Sequence, residues 1–316
     1  MAKTKEISRR IKSVANTKKI TRAMEMVAAA KMRKALEAVL KTRTYANLSW
    51  ETVLHLANLS QAQSEPIHEL LSARKEISRV AIIVITSNRG LCGGFNSSLV
   101  SKVKESIVRH PIPTDFILVG RKASALYGLA NTEVAAEFPK EDILSKIAEI
   151  APITKMAIND YLSGKYDKVL VAYTDFVSAS RQVSRVKQIL PVELEEGEYL
   201  GIASSDPRIG VTKEMLAEKE NKHLAADQGH YEFIFEPSPK EVLDKIIPKL
   251  LEVQLFQAFL ESNASEHSAR MSAMHQATEA ASDMVAELTL FYNKARQAGI
   301  TAEIAEISAG ANALAE

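Results

Sequence analysis

The 316 residues are 46% hydrophobic and 25% charged, as in an ordinary globular protein, and leave room for one large domain or two of moderate size. A lone cysteine, Cys92, excludes an internal disulfide, and the lack of any run of about 18 apolar residues excludes a membrane-spanning helix. The formal charge of +1 conceals blocks: residues 1–43 hold 13 Lys/Arg against 3 Glu, residues 191–232 hold 10 Asp/Glu against 4 Lys/Arg, and Glu261 to the end holds 8 acidic against 3 basic.

Residues 1–65 lack both strong helix breakers, since the first proline is Pro66 and the first glycine Gly90. Ala, Lys, Glu, Met and Leu dominate this stretch, so a helix from Lys3 to Asn58, about 80 Å long, is expected. Its apolar spacing changes frame. Ile7, Ile11 and Val14 set one frame, Ile20, Met24 and Val27 start another, and Trp50, Val53 and Ala57 resume the spacing. The basic start is not followed by a signal-type apolar core and reads as mature sequence.

The middle reads as α/β. Val80–Ile85 is a buried strand, Ser97–Arg109 a helix, Asp115–Gly120 a second strand and Asp142–Leu162 a second helix. Lys168–Thr174 and Gln182–Leu190 follow as strands, and the alternation predicts a mainly parallel, three-layer sheet. An acidic stretch from Glu193 to His230 leads to an expected edge strand at Tyr231–Phe235.

The C-terminal part, from Lys240 past Glu306, predicts a helix of about 100 Å with a kink or early break at Pro248. Steps of four and three run through Leu260, Ala264, His267, Met271, Met274, Thr278, Ala281, Val285, Leu288, Tyr292 and Ala295. That is a heptad seam with His267 and Thr278 as polar interruptions. Two helices of such length, one from each terminus, bury one another most simply as an antiparallel pair. The predicted fold is α+β/α: a long antiparallel coiled coil of residues 1–65 and 240–316 around a central Rossmann-like α/β domain, 66–239, containing an acidic insertion at about 193–230.

Candidate sites are few. Thr86-Ser-Asn-Arg-Gly-Leu-Cys-Gly-Gly-Phe-Asn96 is a Gly-rich strand-to-helix turn, but it matches neither GxxxxGK[ST] nor GxGxxG. A tight turn is the stronger reading and a phosphate-binding turn the weaker one. The seven histidines make no HExxH and no Cys pairing, so no metal site is expected, and no catalytic constellation stands out. Within the seam, Glu266-His267 reads as an interhelical polar contact. The basic residues from Arg9 to Lys34 share their helix with the apolar run Met24–Ala30, which points to enclosure by an acidic partner. A nucleic-acid reading would explain the basic helix but not the α/β middle.

Three motifs in order carry a family resemblance. Residues Ile11 to Lys34 (IKSVANTKKITRAMEMVAAAKMRK) resemble the N-terminal helix of the gamma subunit of F-type ATP synthases. Ser87–Asn96 is similar to that family's central-domain motif, and Ser265–Met271 with Tyr292–Glu303 to its C-terminal signature. The resemblance implies a central rotor with no cofactor and no catalytic site of its own. Its helices would stand inside the alpha/beta hexamer, and its α/β domain on the membrane c-ring with epsilon, with delta a further partner in the complex. Such a rotor couples proton flow to ATP synthesis or hydrolysis and regulates both. It implies contacts of Lys18, Lys19, Arg22, Met24, Arg270, Arg296, Gln297, Thr301 and Glu303 with beta-subunit loops, and a bearing at Ile304, Ile307 and Leu314. The insertion lies where chloroplast and cyanobacterial members carry a regulatory segment, here with Glu195, Glu196, Glu198 and Asp206 but without a cysteine pair. Placement as a peripheral protein on the cytoplasmic face of a bacterial plasma membrane, or on a thylakoid membrane, is the corresponding expectation.

Overall fold

The computed structural model describes residues 2–61, 68–74, 76–142, 146–192 and 239–313. The insertion residues Glu195, Glu196, Glu198 and Asp206, the expected strand Tyr231–Phe235 and the tip residue Leu314 lie outside them. The described elements are α1 (Ala2–Gln61), β1 (Val80–Ile85), α2 (Phe95–Arg109), β2 (Thr114–Val119), β3 (Thr132–Phe138), α3 (Ala151–Leu162), β4 (Lys168–Ser178), β5 (Arg181–Leu190) and α4 (Pro239–Ala313). The chain divides into two compact units, Met1–Ala28 with Arg270–Glu316, and Ala29–Ala269.

The larger unit is built on a five-stranded sheet in the order β3-β2-β1-β4-β5. β1 pairs parallel with β2 and with β4, β2 pairs parallel with β3, and β5 closes the other side antiparallel to β4. Alternate side chains of the central strands enter two separate cores, as the pleat requires. On one face Ala81, Ile83 and Ile85 of β1, with Ile117 and Val119 of β2, meet Ile153, Ala157 and Tyr161 of α3 and Leu243, Ile247, Leu251 and Leu255 of α4. On the other, Val80, Ile82 and Val84 meet Leu99, Val100 and Val103 of α2. Because β1 is covered on both faces, it is a continuous apolar run. Each fully buried aliphatic side chain contributes about 1.5–3 kcal/mol.

Three expectations are corrected here. β3 is an additional strand: Thr-Glu-Val-Ala-Ala-Glu-Phe alternates half-buried and exposed positions, and its Ala and Glu content hides it from a β-propensity reading. The helix expected over Asp142–Leu162 starts only at Ala151, after a 3-10 turn at Ile147–Glu149. Pro248 does not break α4, which runs unbroken from Pro239 to Ala313. Ile247 and Leu251 on either side are fully buried, and their burial offsets the cost of about 3 kcal/mol for an interior proline.

The smaller unit is an antiparallel helix pair. Lys18 meets Ser282, Thr21 meets Thr278 and Glu25 meets His275, so partner numbers always add to 299 or 300. The start of α1 at Ala2 therefore lies opposite about residue 298, and α4 continues beyond its partner; residues 301–309 are all exposed. On α4 the covered positions include Met271, Met274, Thr278, Ala281, Val285, Leu288, Tyr292 and Ala295, the heptad read from the sequence, with Ala273, Ala277, Ser282 and Gly299 beside it.

On α1 the frame shift is overturned. The covered positions continue one heptad through Thr4, Ile7, Ile11, Val14, Lys18, Thr21, Glu25 and Ala28. Ile20 and Val27 of the supposed second frame are 61% and 55% exposed. The seam accepts polar side chains because each finds a partner on the facing helix, so hydrophobicity alone misplaced the stripe.

Candidate partner-contact surface and collar

A two-helix unit whose seam holds Lys18, Thr21 and Glu25 must place much of its apolar surface outside. Ile20, Met26 and Val27 on α1, and Met284, Leu290, Phe291 and Ile300 on α4, are all exposed. Single exposed apolar residues need no explanation, whereas several on one helix pair make it a candidate contact surface.

The residues implied by the resemblance fall on this unit unevenly. Lys19 and Arg22 point outward, and Arg22 holds Glu25 through both carboxylate oxygens at 2.8 and 2.9 Å. Lys18 turns into the seam, where its ammonium donates to Ser282 Oγ at 2.9 Å, and Met24 and Arg270 are half-buried. Arg296, Gln297, Thr301 and Glu303 are exposed, with the Thr301 hydroxyl donating to the Gln297 carbonyl at 3.0 Å. Ile304 and Ile307 stand free at 59% and 72% exposure on the single-helix end. Sequence reading overlooked Glu25, His275 and Ser282 as seam partners. Counting the heptad through polar positions finds Glu25, whereas His275 and Ser282 lie one residue beyond the α4 heptad positions Met274 and Ala281.

The Gly-rich turn links β1 to α2 as the tight turn that was the stronger expectation. In an open sheet of this order the ligand crevice lies beyond the strand ends between β1 and β4, where the connections diverge. Here α4 itself fills that place. Ser262 Oγ donates to the Ile85 carbonyl at 3.4 Å and Ser265 Oγ to the Thr174 carbonyl at 3.1 Å. Residues 261–268, Glu-Ser-Asn-Ala-Ser-Glu-His-Ser, are all buried despite their polarity. A phosphate site there is displaced by the chain's own helix.

Three loops at this sheet edge form a collar around α4. The turn after β1 is held by Asn96, whose amide oxygen accepts from the Ser87 N–H at 3.0 Å and whose amide nitrogen donates to Ser87 Oγ at 2.8 Å. Leu91 and Gly93 adopt positive φ of 61° and 55°, and Gly93 faces the Ala269 carbonyl of α4. From the turn after β4, the Ala179 carbonyl accepts from Ser268 Oγ at 2.7 Å.

The third loop follows β3. Lys140 donates to Glu266 at 2.6 Å, with 2% and 6% of the two side chains exposed, and its ammonium lies 5.4 Å from the centre of the Phe95 ring. The Asp142 carbonyl lies 3.0 Å from His267 Nε2, and the Asp142 carboxylate takes a 2.7 Å bond from Lys31 of α1. That bond holds the Asp142 carboxyl below its ordinary pKa against the opposing effect of burial, helped by the charges of Lys31, His267 and Arg89. Glu266 and His267, expected to contact a partner helix, therefore contact a loop.

Among the described residues no cluster of His, Cys, Asp and Glu is arranged to hold a metal ion, and no helix is long and apolar enough to cross a membrane. The family model described as ATP synthase matches residues 3–314. The ATP synthase gamma chain of Legionella pneumophila (strain Corby) is 38% identical over 317 residues, covering 99% of this chain and all of that protein. The gamma chain of Dehalococcoides mccartyi (strain CBDB1) is also 38% identical, covering both chains completely. Among solved structures, a chain of the Euglena gracilis mitochondrial ATP synthase aligns over 99% of this chain and 95% of its own, with a TM-score of 0.61 at 16% identity. A chain of the Tetrahymena thermophila mitochondrial ATP synthase central stalk and c-ring covers 82% of this chain and 99% of its own, with a TM-score of 0.57 at 23% identity. At those identities the structural likeness speaks to the fold; the full-length sequence matches, joined to the paired terminal helices and the central sheet, place this chain in the ATP synthase gamma chain family.

Proposed function

We propose that the chain is the central rotor shaft of an F-type ATP synthase. It transmits rotation between the membrane c-ring and the alpha/beta catalytic hexamer, and catalysis belongs to that hexamer. The observation that carries this reading is the inverted character of the helix pair. Charged and hydroxyl groups are satisfied in the seam, while Ile20, Val27, Met284 and Phe291 face outward. A shaft enclosed in a protein sleeve has this distribution, because its outer face is not meant for water. The net positive charge of residues 1–43 adds long-range attraction for acidic loops without one fixed deep contact.

Within this reading Lys19, Arg22, Arg296, Gln297, Thr301 and Glu303 meet beta-subunit loops in turn. Lys18, Met24 and Arg270 support that surface from partly covered positions, and Ile304, Ile307 and Leu314 turn in an apolar bearing. The α/β unit stands on the c-ring with epsilon, and delta belongs to the same complex. The protein is peripheral to its membrane, on the cytoplasmic face. The acidic segment Leu194–Gly229 acts as a brake on ATP hydrolysis that needs no thiol pair. Its charge supports this role, and unchanged hydrolysis and inhibition after its deletion would count against it.

Co-expression with alpha and beta subunits tests the central reading. One copy of this chain with three of each is expected, and failure to co-purify under any condition removes it.

A further inference from the structure

The collar grips both long helices close to where each leaves the unit Ala29–Ala269: Lys31 is the third residue of that unit, and Glu266 and His267 are among its last four. One short segment, residues 139–142, supplies the common holding point. Asn88 of the Gly-rich turn donates to its Lys140 carbonyl at 2.5 Å. Its Lys140 side chain holds Glu266 of α4, its Asp142 carbonyl holds His267, and its Asp142 carboxylate holds Lys31 of α1. Asn263 of α4 also donates to the Glu141 carbonyl, at 3.4 Å.

These links, like the hydroxyl bonds of Ser262, Ser265 and Ser268, differ in kind from the apolar part of the α4 contact, and among them only the segment 139–142 also holds α1. Leu243, Ile247, Leu251 and Leu255 hold the helix against the sheet by apolar burial, which resists separation but has no preferred direction. A helix in an apolar groove resists pulling out far more than turning about its own axis. Directional bonds fix that angle. A buried ion pair is suited to this because breaking it strands a charge out of water, although forming it adds little net stability.

We propose that segment 139–142, through Lys140 and Asp142, is the torque-transfer point of the protein. It fixes the angular register of α1 and α4 against the sheet, so that torque delivered to the α/β unit leaves through both helices. Lys140 and Glu266 are positioning residues that touch neither nucleotide nor proton path. The proposal rests on the rotor reading.

The test uses the whole synthase in inverted membrane vesicles, with ATP hydrolysis and ATP-driven proton pumping measured together. Lys140→Met with Glu266→Leu replaces the pair by apolar groups of similar volume, a change that leaves folding stability near wild type. The expected result is an assembled complex with a normal unfolding temperature and continued hydrolysis. Protons pumped per ATP should fall about threefold or more, the scale on which residues of a coupling network act.

The half-exposed link gives a second variant, Lys31→Met with Asp142→Asn, expected to lower the same ratio less steeply. If the first variant fails to assemble, the second decides. A wild-type pumping ratio in either assembled variant overturns the proposal. Failure of the wild-type chain to join alpha and beta would instead overturn the rotor reading, so the two outcomes are distinct.

Discussion

Lys18 places its ammonium 2.9 Å from Ser282 Oγ at a seam position where a regular heptad would put an apolar side chain. The pair joins residues 264 positions apart in sequence, with Thr21 and Thr278, their hydroxyls 2.8 Å apart, on the next turn. Polar seam positions set register at a cost in stability.

Replacing Lys18 by Leu should therefore stabilise the isolated chain by about 1 kcal/mol through added apolar burial. Thermal unfolding of the variant should occur a few degrees higher. A lower unfolding temperature would mean that Lys18 does not occupy the seam.

Lys140→Met alone should be far worse than its companion change. It leaves Glu266 buried without its cation, at a cost of about 3–5 kcal/mol, whereas Lys140→Met with Glu266→Leu should be close to neutral. A double-mutant cycle by urea unfolding measures the coupling directly. Additive single effects would show that the two side chains do not interact.

Gly120 is strained for any other residue. Its φ is +89°, and an added Cβ would lie 2.5 Å from the Thr86 carbonyl oxygen, a backbone atom that cannot step aside. Gly120→Ala should cost about 2 kcal/mol or more, combining positive-φ strain with that overlap. Equilibrium unfolding at neutral pH is the measurement, and a loss below half of this would contradict the geometry.

At the opposite edge of the sheet, burial alone would raise the Asp167 pKa, but bonds from the Ser78 N–H, the Arg74 side chain and the Arg79 N–H bring it down to about 2. A depressed carboxylate stabilises the fold above its unfolded pKa of about 4, and that contribution is lost as pH falls toward 2. Asp167→Asn should be less stable than wild type at neutral pH, and the gap should narrow on acidification. A constant gap between pH 5 and pH 2 would refute the assignment.

Tyr166 works in the other direction. Burial first, and then the hydrogen bond it donates to Asp115 Oδ2 at 2.8 Å, push its pKa up to about 12. The unfolded chain releases this proton near pH 10 while the folded chain keeps it, so stability falls as pH rises from about 10 toward 12. Tyr166→Phe should lose less stability than wild type over that interval. Parallel alkaline denaturation curves would exclude the effect.

The sequence by itself determined the length and pairing of the end helices, because breaker-free composition and a 3.5-residue repeat are local properties that the chain states directly. It also determined β1, whose apolar run follows from burial on both faces, and most seam positions of α4. Only the tertiary structure decided the α1 register, since Lys18 and Glu25 become seam residues through Ser282 and His275 far away in sequence. Tertiary burial likewise carried α4 through Pro248 and turned Thr132–Phe138 into an edge strand. The deepest change concerns the polar run Glu261–Ser268. As sequence it read as part of an interhelical seam; in the fold it fills the crevice of the sheet, where the carbonyls of Ile85, Thr174 and Ala179 accept from Ser262, Ser265 and Ser268 and the side chain of Lys140 pairs with Glu266. Periodicity registers which side of a helix is apolar, but a buried polar side chain is defined by its partner, and partners exist only once the chain has folded.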